Sequence, residues 1–256
     1  MKTMKNFLIL AAGKSKRFGR NKLEEKFCGY TLPALAAYYA YVNGAENIYL
    51  TLSKEGVTTD GNSVYHPVLE NVKEALSSFL VYEDDKKPNL HVAFQSPDVY
   101  GPGAALMEWA GVLTEPFTLL FGDNLYYPPS FDCPFRKNRQ REVIYTYRYL
   151  DVSPRNLQLA AVLKGNILKE KPHSEVSGRF FCGLVQFPEN FASHVSNLRK
   201  SDRGEIELTD IINSFARSAA PLEDYCEDWS DLTYEGDAPR IRAMVEALVD
   251  ERKLRI

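Results

Sequence analysis

Phosphate chemistry is the first possibility that the residue types raise. The apolar run 7–12 breaks into Gly13, Lys14, Ser15, Lys16 and Arg17, a small-residue loop with three cations. Gly13-Lys14-Ser15 is how a P-loop ends, but a P-loop also needs a glycine at position 8, where this chain has Leu8. A buried strand that ends in such a loop still suits an anion. Ala11, Ala12 and Gly13 leave the backbone open to close approach, and the N–H groups of the loop, through Lys14 and Ser15, can point at a phosphate. A strand-to-helix turn with solvated lysines accounts for the same residues.

Further groups suit the same chemistry. Asp123 follows the apolar run "FTLLFG", where a buried, unpaired carboxylate is costly. At a strand's carboxyl end it could hold a divalent cation such as Mg²⁺, whose other ligands are usually waters and phosphate oxygens. It could equally be a turn aspartate capping Asn124. Asp231, in the acidic stretch "EDWSDLTYEGD", could supply a second carboxylate, or be part of an acidic loop. Gln95 ends a third apolar run, before "GPG" at 101–103. A side-chain amide both donates and accepts, as the imide edge of a pyrimidine requires, and Gly101 would let a flat base lie on the backbone. An ordinary polar loop explains them too. Glu170 and Lys171 close a strand-like run before Pro172. Lys171 could meet a phosphate and Glu170 could accept from hydroxyls; a solvated charge run is the commoner explanation. "RGEIELTDI" reads as an acidic approach to a helix, explained by capping.

These residues need a scaffold, and the chain alternates strand and helix through its first half. "NFLILAA", "NIYLTL", "LHVAF" and "FTLLFGDN" are short apolar runs, hence buried strands. Between them, Leu32, Leu35, Ala36, Tyr39 and Val42 share a helical face, with Thr31 as cap, Pro33 in the first turn and Gly44 at the end. Residues 66–80 form a second helix, and a third starts near Pro102. Strands separated by helices imply a parallel sheet with ligands at its carboxyl ends. The second half reads as closely spaced strands, with a hairpin turning at "LKGNI". A helix from about Thr209 buries Ile211, Ile212, Phe215 and Ala219. A last helix, capped by Asp237, buries Ile241, Met244, Val245 and Leu248. The expectation is one α/β domain over 1–256 with a Rossmann-like, mostly parallel mixed sheet flanked by helices. Residues 1–130 form its nucleotide-binding half, and 131–256 an acceptor-binding half built from a β-hairpin and helices.

Composition narrows the partners. With 31 basic and 34 acidic residues the net charge is −3, so no global basic field draws in nucleic acid. The N-terminal apolar run is too short for a signal or membrane segment, and a cytoplasmic protein is expected. Four scattered cysteines, Cys28, Cys133, Cys182 and Cys226, show no metal spacing and read as free thiols. The four histidines form no ligand pair. Tyr38, Tyr39 and Tyr41 could line a homo-oligomer interface, although core packing explains them more simply.

Taken in chain order, these motifs resemble the sugar-1-phosphate nucleotidyltransferases, and most closely the glucose-1-phosphate thymidylyltransferase group. "LILAAGKSKRFG" resembles that family's signature loop, with Arg17 at its arginine. Lys22 stands seven residues before Gly29 in "KLEEKFCG", the spacing of the family's lysine before its "GxPL" segment. "QSPDVYGPGAA" resembles the base-binding segment and "FGDN" the metal-aspartate strand end. "LKEKP", "FFCGLVQF", "RGEIELTDI" and "WSDLTY" resemble the acceptor-side motifs.

The resemblance implies a nucleotidyl transfer. The phosphate oxygen of a sugar 1-phosphate attacks the α-phosphorus of a nucleoside triphosphate and pyrophosphate leaves, so that catalysis is positioning and charge neutralisation. It implies Arg17 and the Gly13 loop on the β- and γ-phosphates, Lys22 on the α-phosphoryl and Lys171 on the acceptor phosphate. It further implies Asp123 and Asp231 on Mg²⁺, Gln95 and Gly101 at the base, and Glu170 and Gly183 facing the sugar. The chain departs from the family at Ser15, where a glycine is usual, and at Lys16, where a threonine is. "AAGxSxRFG" resembles cytidylyl- and guanylyl-transfer relatives of the same fold instead. Ala160 and Cys182 also depart, and residues 53–89 match no motif of the family. Gln95 favours a pyrimidine triphosphate, dTTP or UTP ahead of CTP. Two rivals remain: the same fold acting on a non-sugar phosphate or phosphonate, and a non-catalytic nucleotide-sensing relative.

Overall fold

The structure is a computed structural model that describes residues 5–15, 17–60, 63–79, 86–96, 98–127, 143–151, 161–171, 177–195, 198–215, 219–223 and 228–250. Lys16, Cys133, Ala160, Pro172, His173 and Cys226 lie outside the described residues.

In chain order the strands and helices are β1 (Asn6–Ala11), β2 (Lys26–Phe27), β3 (Tyr30–Thr31), α1 (Leu32–Val42), β4 (Asn47–Leu52), β5 (Thr58–Asp60), β6 (Ser63–Tyr65) and α2 (Pro67–Ser78). Then come β7 (Asn89–Phe94), α3 (Pro102–Met107), β8 (Phe117–Phe121), β9 (Asn124–Tyr127), β10 (Val143–Asp151), β11 (Ala161–Lys164), β12 (Ile167–Glu170) and β13 (Ser177–Phe187). The chain continues through α4 (Ala192–Val195), α5 (Leu208–Ser214), β14 (Ala219–Glu223), β15 (Asp228–Asp231) and α6 (Ala238–Asp250). The class is mixed α/β, with a mostly parallel central sheet flanked by helices.

Two compact units interleave along the sequence. The first comprises Thr3–Ser96, Leu120–Asp132 and Cys226–Ile256. Its sheet places β4 parallel to both β1 and β7, with Leu8 opposite Tyr49 and Leu50 opposite Val92. Every residue of β1 is buried, as expected of a parallel strand covered on both faces. β7 lies at the end of the strand order and is half-exposed. Helix α1 is buried from Leu32 to Ala40 because it is apolar all round. Thr31 caps it, its hydroxyl accepting from Ala34 N at 3.3 Å. Asn71 of α2 joins the cap, accepting from Thr31 N at 2.8 Å. Tyr38 and Tyr39 are core residues, and Tyr38 and Tyr41 pack on Phe79. An unanticipated antiparallel pair, β9 with β15, sets Asp231 opposite Asn124.

The second unit comprises Met1–Lys2, Pro97–Leu119 and Cys133–Tyr225. The hairpin expected at "LKGNI" is β11–β12, turning at Gly165 with φ 61°. β11 and β10 both run antiparallel to β13, and β14 runs parallel to β10. Phe117, Phe187 and Phe191 form the aromatic core. One expectation needs correction here. Ala219 belongs to strand β14, not to the helix from Thr209, because that helix ends at Ser214 with Phe215 as its C-terminal cap. The helix expected to start near Pro102 does so and runs to Met107, after which turns carry the chain to Leu113.

Candidate functional site

In the first unit the Gly13 loop, Lys22, Asp123 and Asp231 come together through four short elements. β1 delivers Ala11 and Ala12 buried, then Gly13 and Lys14 exposed. Ser15 has φ 49°, a left-handed conformation that is uncommon outside glycine. Its hydroxyl accepts from Lys22 N at 3.1 Å and its carbonyl from Phe18 N at 2.9 Å. Arg17 is exposed. The 3-10 turn Lys22–Glu24 is capped by Asn21, whose Oδ1 accepts from Leu23 N at 3.2 Å.

Gly122 is what lets Asp123 reach this loop. A Cβ at Gly122 would lie 2.9 Å from the Ala11 Cβ and 3.0 Å from the Leu10 carbonyl oxygen. Gly122 N instead donates to Leu10 O at 2.8 Å. Small residues at 11 and 122 thus bring the ends of β1 and β8 into contact. The Asp123 Oδ2 atom then accepts from Lys22 Nζ at 2.6 Å, and Lys22 Nζ also donates to Leu232 O at 2.6 Å. The Asp123 backbone carbonyl accepts from Leu232 N at 2.9 Å, and its carboxylate faces a lysine.

Asp231 completes the group at the end of β15. Burial above all raises its carboxyl above the ordinary carboxylate value; the Thr233 hydrogen bond opposes the shift and the charge of Asp123 adds to it. Two hard oxygen donors under mutual repulsion suit Mg²⁺, which takes one or two carboxylates and leaves its other positions to water and phosphate. Among the described residues no three His, Cys, Asp or Glu side chains form a metal cage, and Mg²⁺ at phosphate sites does not need one.

A cavity of about 420 Å³ opens beside the loop, lined by Gly13, Lys14, Ser15, Gly19, Arg20, Asn21, Glu24, Ser53, Glu55 and Gly56. Arg20 donates to Glu25 at 2.9 Å and Glu235 at 3.1 Å and lies over the Phe18 ring. The start of the unmatched insert, Ser53 to Gly56, is thus a wall of this cavity. Gln95 is buried at the end of β7, with its N–H donating to Leu52 O at 2.8 Å.

In the second unit the residues expected on the acceptor side gather around Glu170. Its carboxylate meets Lys171 Nζ at 3.4 Å, Arg203 at 3.4 Å and the Thr209 hydroxyl at 3.3 Å. Burial above all pushes the Glu170 carboxyl up, and Glu207 adds to this, while Lys171 and Arg203 act against it. Lys171 sits at φ 43°, a strained non-glycine backbone. Glu207 is only 3% exposed and accepts from Arg203 at 2.6 Å and Ser201 Oγ at 2.7 Å. The capping reading of "RGEIELTDI" is therefore incorrect. Glu207 occupies the N-cap position of α5 but makes no side-chain cap bond, because Arg203 and Ser201 hold its carboxylate.

Gly101 and Gly183 have backbone reasons to be glycine. Gly101, at φ 115°, lies so close to Ile206 that a Cβ would fall 2.4 Å from its carbonyl oxygen. Gly103 N donates to that carbonyl at 2.9 Å, and Ile206 N donates to Tyr100 O at 2.8 Å. The glycines therefore lock the 100–103 segment onto 205–206. Gly183, at φ 77°, stands where the β10–β13 register shifts, a bulge in β13.

The sequence reading missed Arg20, Arg203, Glu207, Thr209 and Thr233. Only Arg203 and Glu207 carried a local signal, an opposite-charge pair at i,i+4 spacing.

No family model and no curated protein matches the chain. Solved structures do. The inositol-1-phosphate CTP transferase of T. maritima aligns with a TM-score of 0.70 at 16% identity, over 96% of each chain. A UDP-glucose pyrophosphorylase complexed with UDP-glucose aligns at 0.69 and 17% identity, over 97% of this chain and 99% of that one. A provisionally named glucose-1-phosphate thymidylyltransferase of Bacillus anthracis, in complex with a sucrose, aligns at 0.69 and 20% identity, over 94% of both. At these identities the likeness is one of fold. Among the described residues no helix is long and apolar enough to cross a membrane.

Proposed function

We propose that the chain is a nucleotidyltransferase that joins a sugar 1-phosphate to a nucleoside triphosphate, giving a nucleotide sugar and pyrophosphate. The observation that carries the reading is the meeting of Lys22, Asp123 and Asp231 beside a small-residue, basic loop. A lysine and two carboxylates at one point suit attack at a phosphorus, where the enzyme's work is orientation and charge neutralisation. The fold shared with enzymes named for UDP-glucose, glucose 1-phosphate and inositol 1-phosphate supports it.

In this reading Arg17 and the backbone of Ala11, Ala12, Gly13, Lys14 and Ser15 bind the β- and γ-phosphates and favour pyrophosphate departure. Lys22 leaves Asp123 for the α-phosphoryl as charge develops there. Asp123 and Asp231 would hold Mg²⁺, which when bound neutralises the phosphate oxygens. Lys171 clamps the acceptor phosphate. Glu170 and Gly183 line the sugar side, and Gln95 and Gly101 the base, taken as a pyrimidine with dTTP or UTP ahead of CTP. The product would serve glycan assembly in the cytoplasm.

A second reading keeps the fold and changes the substrates. Ser15, at φ 49°, stands where the sugar-nucleotide family usually has glycine, and a serine at that position is the pattern of the cytidylyl-transfer relatives that the loop also resembles. A CTP-dependent enzyme with a non-sugar phosphate acceptor fits that loop. Pyrophosphate release, measured over dTTP, UTP, CTP, ATP and GTP against sugar 1-phosphates and phospho-alcohols with Mg²⁺, separates the two. Turnover of a sugar 1-phosphate with dTTP or UTP supports the first. Turnover only with CTP and a phospho-alcohol replaces it with the second, and no turnover with any pair counts against both.

A further inference from the structure

Backbone pairing brings Asp231 to Asp123, but pairing leaves the carboxylate free to turn. The ladder sets Asp231 opposite Asn124, and Leu232 N extends it to Asp123 O at 2.9 Å. That fixes the Cα positions. It does not fix the two side-chain torsions that decide whether an Asp231 lone pair points at a cation beside Asp123.

Thr233 supplies that constraint. Its Oγ1 donates to Asp231 Oδ2. Its own place is set by Asp237, whose Oδ2 accepts from Thr233 N at 3.0 Å and from Tyr234 N at 2.6 Å. Asp237 thereby closes the short turn Glu235–Asp237, which runs directly into α6. The chain of bonds runs from Asp237 to the Thr233 backbone, and from the Thr233 hydroxyl to Asp231.

The geometry points to Thr233 as the positioning residue for the cation-facing carboxylate of Asp231, with Asp237 as its anchor. This rests on the reading of Asp123 and Asp231 as a Mg²⁺ site. A hydroxyl is well suited to the task. It spends its one proton on Oδ2, leaves Oδ1 and the remaining lone pair available, and brings no charge to compete with a cation.

The test uses the full chain and terbium(III), a hard oxygen-seeking ion, titrated without nucleotide. Luminescence is excited through tryptophan; Trp229 lies two residues from Asp231. T233V keeps the branched shape and lacks the donor, whereas T233S keeps the donor. T233V should bind terbium about tenfold more weakly, the lower end of what removing such a supporting bond does, and T233S should restore the affinity. D237N, which loosens the anchor and keeps both Asp231 and Thr233, is a second measure and should fall between wild type and T233V. Wild-type affinity in T233V, with D231N losing the ion, overturns the role of Thr233 and leaves the metal site standing. Equal binding by wild type, D123N and D231N, or no binding by wild type, overturns the metal site and this proposal with it.

Discussion

Lys22 holds Asp123 in the position a divalent cation would share, so replacing it should make the fold depend on that cation. The perturbation is Lys22→Met, which keeps most of the stem and removes the charge. The Nζ to Oδ2 distance is 2.6 Å, with the side chains 13% and 28% exposed. At an effective dielectric constant of about 20 the bare attraction is about 6 kcal/mol. Desolvation and solvent screening reduce this: exposed pairs contribute about 0–1 kcal/mol, while breaking a fully buried pair costs about 3–5. A pair exposed to this intermediate extent should be worth about 2 kcal/mol, and its loss leaves Asp123 repelling Asp231 unopposed. At about 2–4 °C per kcal/mol for a domain of this size, Lys22→Met should melt about 4–8 °C below wild type in EDTA. Millimolar Mg²⁺ should recover much of that loss and shift wild type far less. Calorimetry with and without Mg²⁺ measures both. Equal melting of the two proteins in EDTA, or equal Mg²⁺ shifts in both, would refute the reasoning.

Three other outcomes follow from single contacts. Gly122→Ala places a methyl 2.9 Å from the Ala11 Cβ; overpacking of this kind costs about 1–3 kcal/mol, and chemical denaturation should show it together with a loss of pyrophosphate release. Glu207→Gln removes the charge that holds Arg203 at 2.6 Å; initial rates should show a KM for the acceptor phosphate raised about tenfold with kcat less affected, the pattern of lost binding, whereas an unchanged KM would remove Arg203 from the acceptor site. His66 caps α2, its Nδ1 accepting from Val68 N at 3.2 Å, and burial above all lowers its pKa below the ordinary value. The neutral form is therefore the stabilising one. Its contribution is complete above the unfolded value of about 6.5 and is lost as pH falls through the lower folded value. Melting followed from pH 7.5 to 5 should show about 1 kcal/mol of loss, the worth of a cap, and His66→Asn should flatten that part of the profile.

The parts of the fold that could be read in advance are those dictated by neighbours in sequence. An apolar run buried on both faces is a parallel strand wherever it pairs, and β1 needed nothing else. Thr31 and Pro33 set the start of α1 through bonds within one turn. The β9–β15 pair could not be read this way. Each strand has four residues, and β15 carries aspartate at both ends, so neither composition nor alternation marks it. Only the partner strand, about a hundred residues away, makes it a strand. The same holds for α5, where an acidic start looks like capping until Arg203 and Ser201 claim the carboxylate of Glu207.

The candidate site divides along the same line. Asp123 stands out in the sequence, because a charge at the end of a largely apolar strand needs a partner, but that its partner is Lys22, 101 positions earlier, is a property of the fold. The glycines make the point most sharply. The sequence reads Gly101 as a place for a flat base on the backbone, and the family resemblance sets Gly183 facing the sugar, yet both meet protein needs first: Gly101 is pressed on Ile206, and Gly183 turns a bulge. Gly122, which drew no attention beside Asp123, is the residue whose missing Cβ allows Asp123 to stand beside Ala11. A glycine's effect lies in what would have occupied the space of its side chain, and the sequence around it does not name that neighbour. Candidate site residues can therefore be nominated from type and spacing, while the residues packed or bonded against them, such as Gly122 and Thr233, become visible only when distant segments are brought together.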